Sequence, residues 1–371
     1  MKKRVVVVGF MEFNEKMYPH LYDFLRLMEK SCDVTYFGGD DRCNNLMLLS
    51  ESLKSLNPFS AMKSLTDFVK KNAQLKKKIR TLMEREPDVA IAIDHSALNH
   101  VARYAIGKTR LIFWSLDYIS DDFVWHRYYL IRRLLKKNVR LISKYESIIV
   151  QDKNRGAVLD SILGSHSIKK YYLPVSLSSD DFSAEVAHGK AGKKTIVKIA
   201  LMQITAACIR GSDLLLSEYQ TLTNDISLIF HGVVAPEIHE LIRTSAKKPA
   251  INMVSDDFVS MRKKIAQADI GFVCYMTKDL NHHFISNACG QAVEFLKMGM
   301  PLIVFESSEI GAFIEQNHSG ICISSIKDLS SAARTIAENY GEYSKAARHA
   351  YERHFNLDST IERLSDIFDI S

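Results

Sequence analysis

Short apolar runs alternate with amphipathic stretches along nearly the whole chain. Arg4 to Val8 is a β-branched run that stops at Gly9, the pattern of a strand covered on both faces. Tyr18 to Lys30 follows, with Leu21, Phe24, Leu25 and Met28 at helical spacing, which puts them on one face. Asp33 to Phe37 predicts a second strand ending at Gly38 and Gly39, so the chain opens with a βαβ unit. Ser64 to Glu86 reads as one long basic helix, Pro87 to Ile93 as a strand, Asn99 to Ile106 as a helix and Arg110 to Trp114 as a strand. Ser147 to Val150 is another strand, and Tyr171 to Pro174 closes the first half.

Ser176 to Lys194 is rich in Ser, Asp, Gly and Lys and predicts a linker region. The alternation then restarts. Strands are expected at Thr195 to Met202, Ile226 to Phe230, Ile251 to Val254, Ile270 to Cys274, Leu302 to Phe305 and Ile321 to Ser324, with helices between them. Strand and helix in such alternation imply an α/β chain with two doubly wound parallel sheets.

In open sheets of this kind ligands bind beyond the carboxyl ends of the strands. The residues just after each expected strand are therefore the candidates for chemistry. They are Gly9, Asp94, His95, Ser96 and Ser115 to Asp117 in the first half. In the second half they are Gln203 to Thr205, His231, Gly232, Ser255 to Asp257 and Tyr275. Gly9 stands alone, without the Gly-x-Gly-x-x-Gly spacing of a dinucleotide site.

Phe284 to Phe305 carries the most information. It predicts a loop, a helix capped by Ser286 or Asn287, a turn at Gly299 and Pro301, and a buried strand. A helix start offers free N–H groups and partial positive charge to a phosphate. Glu294 lies about two turns in, where its carboxylate can accept from sugar hydroxyls.

This stretch resembles the donor-binding helix of GT-B glycosyltransferases, above all the retaining family 4. Those enzymes carry Glu, seven residues, Glu, then Gly-x-Pro. Glu294 matches the second Glu and Gly299-Met300-Pro301 the turn, while Ser286 stands where the first Glu belongs. Some members have Ser-Asn there, as in Ser286-Asn287. Arg210-Gly211 is similar to a family segment whose basic residue reaches the donor diphosphate, and Ile204 replaces a second basic residue.

The resemblance implies two Rossmann-like domains facing a cleft. An acceptor-binding domain spans 1–176, a nucleotide-sugar-binding domain 177–355, and a helix over 356–371 packs back on the first. It implies donor contacts from Glu294, Arg210, Asn287, Ser286, Ala288, Cys289, Gly290, Gly232, Gly9, Lys198 and Tyr275. The implied reaction moves a sugar from a nucleotide sugar to a glycan or lipid-linked acceptor in bacterial surface polysaccharide synthesis, with retention. An inverting reaction would need a base at the acceptor, for which Asp117, His95 and Asp94 are the candidates, in that order. A nucleotide-sugar 2-epimerase and a non-catalytic sugar-nucleotide-binding protein share the fold and stay open.

At 371 residues with 47% hydrophobic and 25% charged residues, the chain has the make-up of a soluble protein of two domains. Its formal net charge is +6, concentrated in Lys63 to Arg85 and His126 to Lys144. A basic amphipathic segment suits an anionic membrane surface; no nucleic-acid motif accompanies it. The six cysteines are scattered, without metal spacing. Reduced thiols, a cytoplasmic location and the absence of a metal or other cofactor are the expectations.

Overall fold

The computed structural model describes residues 2–9, 18–38, 70–118 except 71–72 and 75, 129–180, 182–183, 185–186, 197–206, 211–252, 258–276, 280–305, 308–362 and 367. The chain divides into two compact units, Met1–Leu173 with Leu364–Ser371, and Pro174–Arg363.

The first unit holds a sheet of six parallel strands: β1 Lys3–Gly9, β2 Cys32–Gly38, β3 Val89–Ile93, β4 Arg110–Trp114, β5 Ser147–Val150 and β6 Lys169–Tyr172. Their order is β2-β1-β3-β4-β5-β6. Helices α1 Pro19–Ser31, α2 Asp94–Tyr104, α3 Tyr129–Leu141 and α4 Lys153–Leu163 connect them. Every residue of β3 is buried, as its unbroken apolar run requires. The residues that α1 buries are Leu21, Phe24, Leu25 and Met28, the stripe read from helical spacing. The chain leaves β1 on one side and returns to β3 on the other. The winding therefore reverses between Gly9 and Asp94.

The second unit repeats the plan with β7 Val197–Ala206, β8 Ile226–Val234, β9 Ala250–Asn252, β10 Ile270–Cys274, β11 Leu302–Phe305 and β12 Gly320–Ile323. The order is β12-β11-β10-β7-β8-β9, all parallel. Its helices are α5 Ser212–Tyr219, α6 Pro236–Thr244, α7 Phe258–Ile265, α8 Leu280–His283, α9 Gly290–Lys297, α10 Ser308–Gln316, α11 Leu329–Glu338, α12 Tyr340–His354 and α13 Leu357–Glu362. Leu215, Phe230, Phe272 and Ile336 centre one buried cluster. Val273, Phe295, Leu296, Val304 and Tyr351 centre another. Each such side chain contributes roughly 1.5–3 kcal/mol on burial. Here the winding reverses between β7 and β10, which places a ligand crevice at their carboxyl ends.

Several boundaries differ from the sequence reading. β7 runs on to Ala206, and β8 passes through His231 and Gly232 to Val234. Met202 pairs with His231 but Thr205 with Val233, so one extra residue of β7 is absorbed as an irregularity. Gly232 sits beside it with φ 125°. Positions that read as strand ends, Gln203 in β7 and Gly232 in β8, therefore lie at an irregularity inside two longer strands, with the extra residue in β7. Asp94 and His95 do not form a loop; α2 begins at Asp94 directly.

The expected linker is anchored where it begins. Leu177 N–H donates to Phe355 O at 3.1 Å, Leu357 N–H donates to Leu177 O at 3.0 Å, and the Tyr351 hydroxyl donates to Leu177 O at 2.8 Å. Residues 356–371 divide as well. α13 belongs to the second unit, while Leu364–Ser371 groups with the first. Among the described residues no helix is long and apolar enough to cross a membrane.

Candidate functional site

Two helix starts meet at the carboxyl end of β10. The first is α9, which lies against β10 at a distance only glycine permits. A Cβ on Gly271 would sit 2.4 Å from the Phe295 ring. Ser286–Ala288 forms a single 3-10 turn before it, and the cap is Cys289 rather than Ser286 or Asn287. Cys289 Sγ accepts from Ala292 N–H at 3.4 Å and lies 3.3 Å from the Tyr275 hydroxyl. The extra turn moves the helix start to Gly290, beyond reach of the two residues whose polarity suggested a cap. Asn287 instead offers its backbone oxygen to Val175 N–H at 2.8 Å. The other end behaves as read, with Gly299 at φ 62°.

The second helix start is α5. Gly211 precedes it with φ 65°, and a Cβ there would lie 2.7 Å from Cys274 Sγ. Cys274 thus touches the start of α5, and its neighbour Tyr275 touches the start of α9. Both lie where the winding of the sheet reverses. The positive ends of two helices converge there, an arrangement suited to a diphosphate. Ser212 Oγ, at the first position of α5, is buried without a hydrogen-bond partner among the described residues. Tyr275 also packs on His282, with ring centroids 5.3 Å apart. Arg210 falls outside the described residues.

Glu294 is buried in α9. Its Oε2 lies 3.3 Å from Arg262 Nη2, while Oε1 is buried with no partner among the described residues. The same Arg262 nitrogen stands 2.8 Å from Asp180 Oδ2 and 3.1 Å from Ser183 Oγ. Lys297 Nζ approaches Asp180 Oδ2 at 2.5 Å. Burial opposes charge on Asp180, but Lys297, the Ser183 N–H and Arg262 outweigh it and hold the carboxyl well below its usual range. An unsatisfied buried acceptor costs about 1–3 kcal/mol, so a hydroxyl brought to Oε1 recovers that cost.

The first unit has its own carboxylate pair at the reversal point. Asp94 adopts φ 61°, unusual for a residue other than glycine. Its Oδ1 accepts from the N–H groups of Leu116 at 2.7 Å and Asp117 at 3.2 Å. Gln151 donates to Ser115 O at 3.0 Å, and fully buried Arg155 donates to Leu116 O. The loop after β4 is thus pinned from two other strands, with Asp117 exposed upon it. Burial pushes the Asp94 carboxyl up to about 7, and the Asp117 charge adds to this; the two N–H groups and Arg155 pull the other way. His95 is fully buried against Phe113, its Nδ1 accepts from Asn138 Nδ2 (3.2 Å), and burial lowers its pKa to about 4.

Residues 260–357 match the family of glucosyltransferase 3-like C-terminal domains. Among solved structures, HepE of Anabaena in complex with UDP and glucose aligns over 100% of both chains, with 13% identity and a TM-score of 0.64. A trehalose-6-phosphate synthase aligns over 100% of both chains at 11% identity with a TM-score of 0.68. WaaG, a glycosyltransferase involved in lipopolysaccharide biosynthesis, aligns over 98% of this chain and 99% of its own, at 14% identity with a TM-score of 0.59. No curated protein sequence matches significantly. The chain has the two-domain GT-B fold of these glycosyltransferases.

Within this fold the residues singled out from sequence separate into groups. Tyr275, Ser286, Asn287, Ala288, Cys289, Gly290 and Glu294 lie together around α9. Lys198 does not join them. It is exposed at the amino end of β7, where its N–H donates to Asp269 Oδ2 at 2.9 Å. Eight strand residues, roughly 25 Å, separate it from the carboxyl edge. Gly232 lies within β8 opposite the extra residue of β7, and Gly9 ends β1 in the first unit. His95 is a core residue of α2, which leaves Asp94 and Asp117 as the polar pair on that side. Arg262, Asp180 and Lys297 were missed, because their partners lie far away in sequence and Arg262 reads locally as part of a short basic run. Among the described residues no group of His, Cys, Asp and Glu is arranged to hold a metal ion.

Proposed function

We propose that this protein is a glycosyltransferase that binds a nucleotide sugar in its second unit and passes the sugar to a glycan or lipid-linked acceptor of a bacterial surface polysaccharide. The starts of α5 and α9 take the diphosphate, Arg210 supplies it with a cation, and Glu294 takes the ribose. The observation that carries this reading is the buried, unpartnered Oε1 of Glu294 on the helix whose start lies at the reversal of the sheet. The family match over residues 260–357 includes that helix.

The transfer proceeds with retention and without a bound metal, the departing diphosphate accepting the proton of the acceptor hydroxyl. Asp94 and Asp117 serve acceptor recognition in the first unit. The protein works in the cytoplasm, at the inner face of the membrane. A UDP-sugar is the first donor to try, since HepE is known with UDP-glucose.

Thermal unfolding with UDP-, GDP-, ADP- and CMP-sugars tests the donor side. A cognate donor at 100 times its Kd adds about 2.7 kcal/mol of stability. One nucleotide class should raise Tm clearly above the others. No shift with any of them would defeat the assignment of the second unit.

A further inference from the structure

Arg262 occupies an unusual place in the donor half. One terminal nitrogen of its guanidinium touches three acceptors: Glu294 Oε2 at 3.3 Å, Asp180 Oδ2 at 2.8 Å and Ser183 Oγ at 3.1 Å. Its side chain is 12% exposed and that of Glu294 only 6%. Lys297, one turn beyond Glu294 on α9 and 3% exposed, reaches the same Asp180 Oδ2 at 2.5 Å. Two cations and two anions thus form a row, Glu294–Arg262–Asp180–Lys297, drawn from α7, α9 and the segment that follows Pro174. The consequence for Glu294 is asymmetric. One carboxylate oxygen is committed to the guanidinium, and the other is left without a partner among the described residues.

We propose that Arg262 is a positioning residue, backed by Asp180 and Lys297, that fixes the Glu294 carboxylate so that Oε1 alone is offered to a ribose hydroxyl. It thereby sets the preference of the site for ribonucleotide over deoxyribonucleotide donors. The inference rests on the reading of Glu294 as the ribose-binding group. A carboxylate free to rotate would present either oxygen in many directions and lose part of its hydrogen-bond energy to ordering. One tied at Oε2 presents a single acceptor in a fixed direction. A merely structural ion cluster would instead support α7 and α9 without regard to which nucleotide is bound. The two cases differ in a ratio of affinities.

The test is calorimetric titration of UDP, 2′-deoxy-UDP and 3′-deoxy-UDP, with the corresponding ADP and GDP sets used if they bind more tightly. The proteins are the wild type, Glu294→Gln, Arg262→Gln and the double variant Asp180→Asn/Arg262→Gln. The double variant removes one charge of each sign and decides the matter if Arg262→Gln does not fold. Wild type should prefer the ribonucleotide at least tenfold over one of its deoxy analogues. Both Arg262 variants should lose that preference as Glu294→Gln does, with affinity for the deoxy analogue within about twofold of wild type. If the Arg262 variants keep the wild-type preference, or lower all three affinities equally, the positioning role is overturned. If Glu294→Gln itself leaves the preference intact, or if no nucleotide binds the wild type, the ribose assignment fails and takes this inference with it.

Discussion

Asp94 accepts the N–H of Leu116 at 2.7 Å, which fastens the end of β3 to the loop after β4 through a carboxyl withdrawn from water. Unfolded, that carboxyl titrates near 3.8; folded, burial and the charge of Asp117 raise it to about 7. Between those values the folded state keeps a proton that the unfolded chain has released. Its contribution to stability therefore falls as pH rises through that window. Asn at this position accepts the same N–H groups and does not ionise. The advantage of Asp94→Asn over wild type should grow by on the order of 2–3 kcal/mol between pH 5 and pH 8. Urea unfolding at the two pH values measures it. A variant less stable than wild type at pH 8 would mean that the ionised carboxylate is what holds the loop.

Glu294→Gln keeps the shape of the side chain and removes its charge. A hydrogen bond to a charged group contributes about 1.5–3 kcal/mol, so affinity for the cognate nucleotide should fall about tenfold to a hundredfold. Titration of the folded variant reads this directly. Unchanged affinity would remove Glu294 from the site.

Gly211→Ala combines a left-handed backbone with a Cβ 2.7 Å from Cys274 Sγ. The backbone strain alone costs roughly 1–3 kcal/mol. The start of α5 should shift, weakening nucleoside diphosphate binding along with stability. Adding Cys274→Ala relieves the contact and leaves φ unfavourable, so the double variant should recover only part of the loss. Full recovery would show that sterics alone reserve the position for glycine.

On the first unit, α3 presents exposed Lys136, Lys137 and Arg140 around Val139, itself 45% exposed. Each basic residue near an anionic surface contributes on the order of 1 kcal/mol, screened by salt. Wild type should float with anionic liposomes at about 0.1 M salt. Replacing Arg132, Arg133, Lys136 and Lys137 with Glu should release it while leaving nucleotide binding intact. Wild type found wholly in the soluble fraction would favour a soluble acceptor.

Periodicity carried most of the fold, because a parallel sheet covered on both faces leaves long apolar runs such as Val89–Ile93, and an amphipathic helix such as α1 leaves a stripe. It failed where geometry is decided by a partner strand. Gln203 and Gly232 look like strand ends, yet they lie inside longer strands where β7 absorbs an extra residue opposite β8. It failed again at Cys289, since a thiol is not a usual cap and only the 3-10 turn at Ser286–Ala288 hands it that role. The place of Glu294 on a helix running into a Gly-x-Pro turn was legible from sequence. Arg262 was not, because a pair 32 residues apart leaves no local trace.

The anchoring of Leu177 to Tyr351, Phe355 and Leu357 reaches beyond the folding of one segment. The second unit carries its own closing seam, formed by its first residues and nearly its last. Its termini are thus tied together in space, as in modules that tolerate excision and transplantation. A gene fragment for 174–362 would preserve the seam, whereas one beginning after 177 or stopping before 356 would cut it. Chimeras that exchange donor specificity between enzymes of this architecture should place their joints outside that seam.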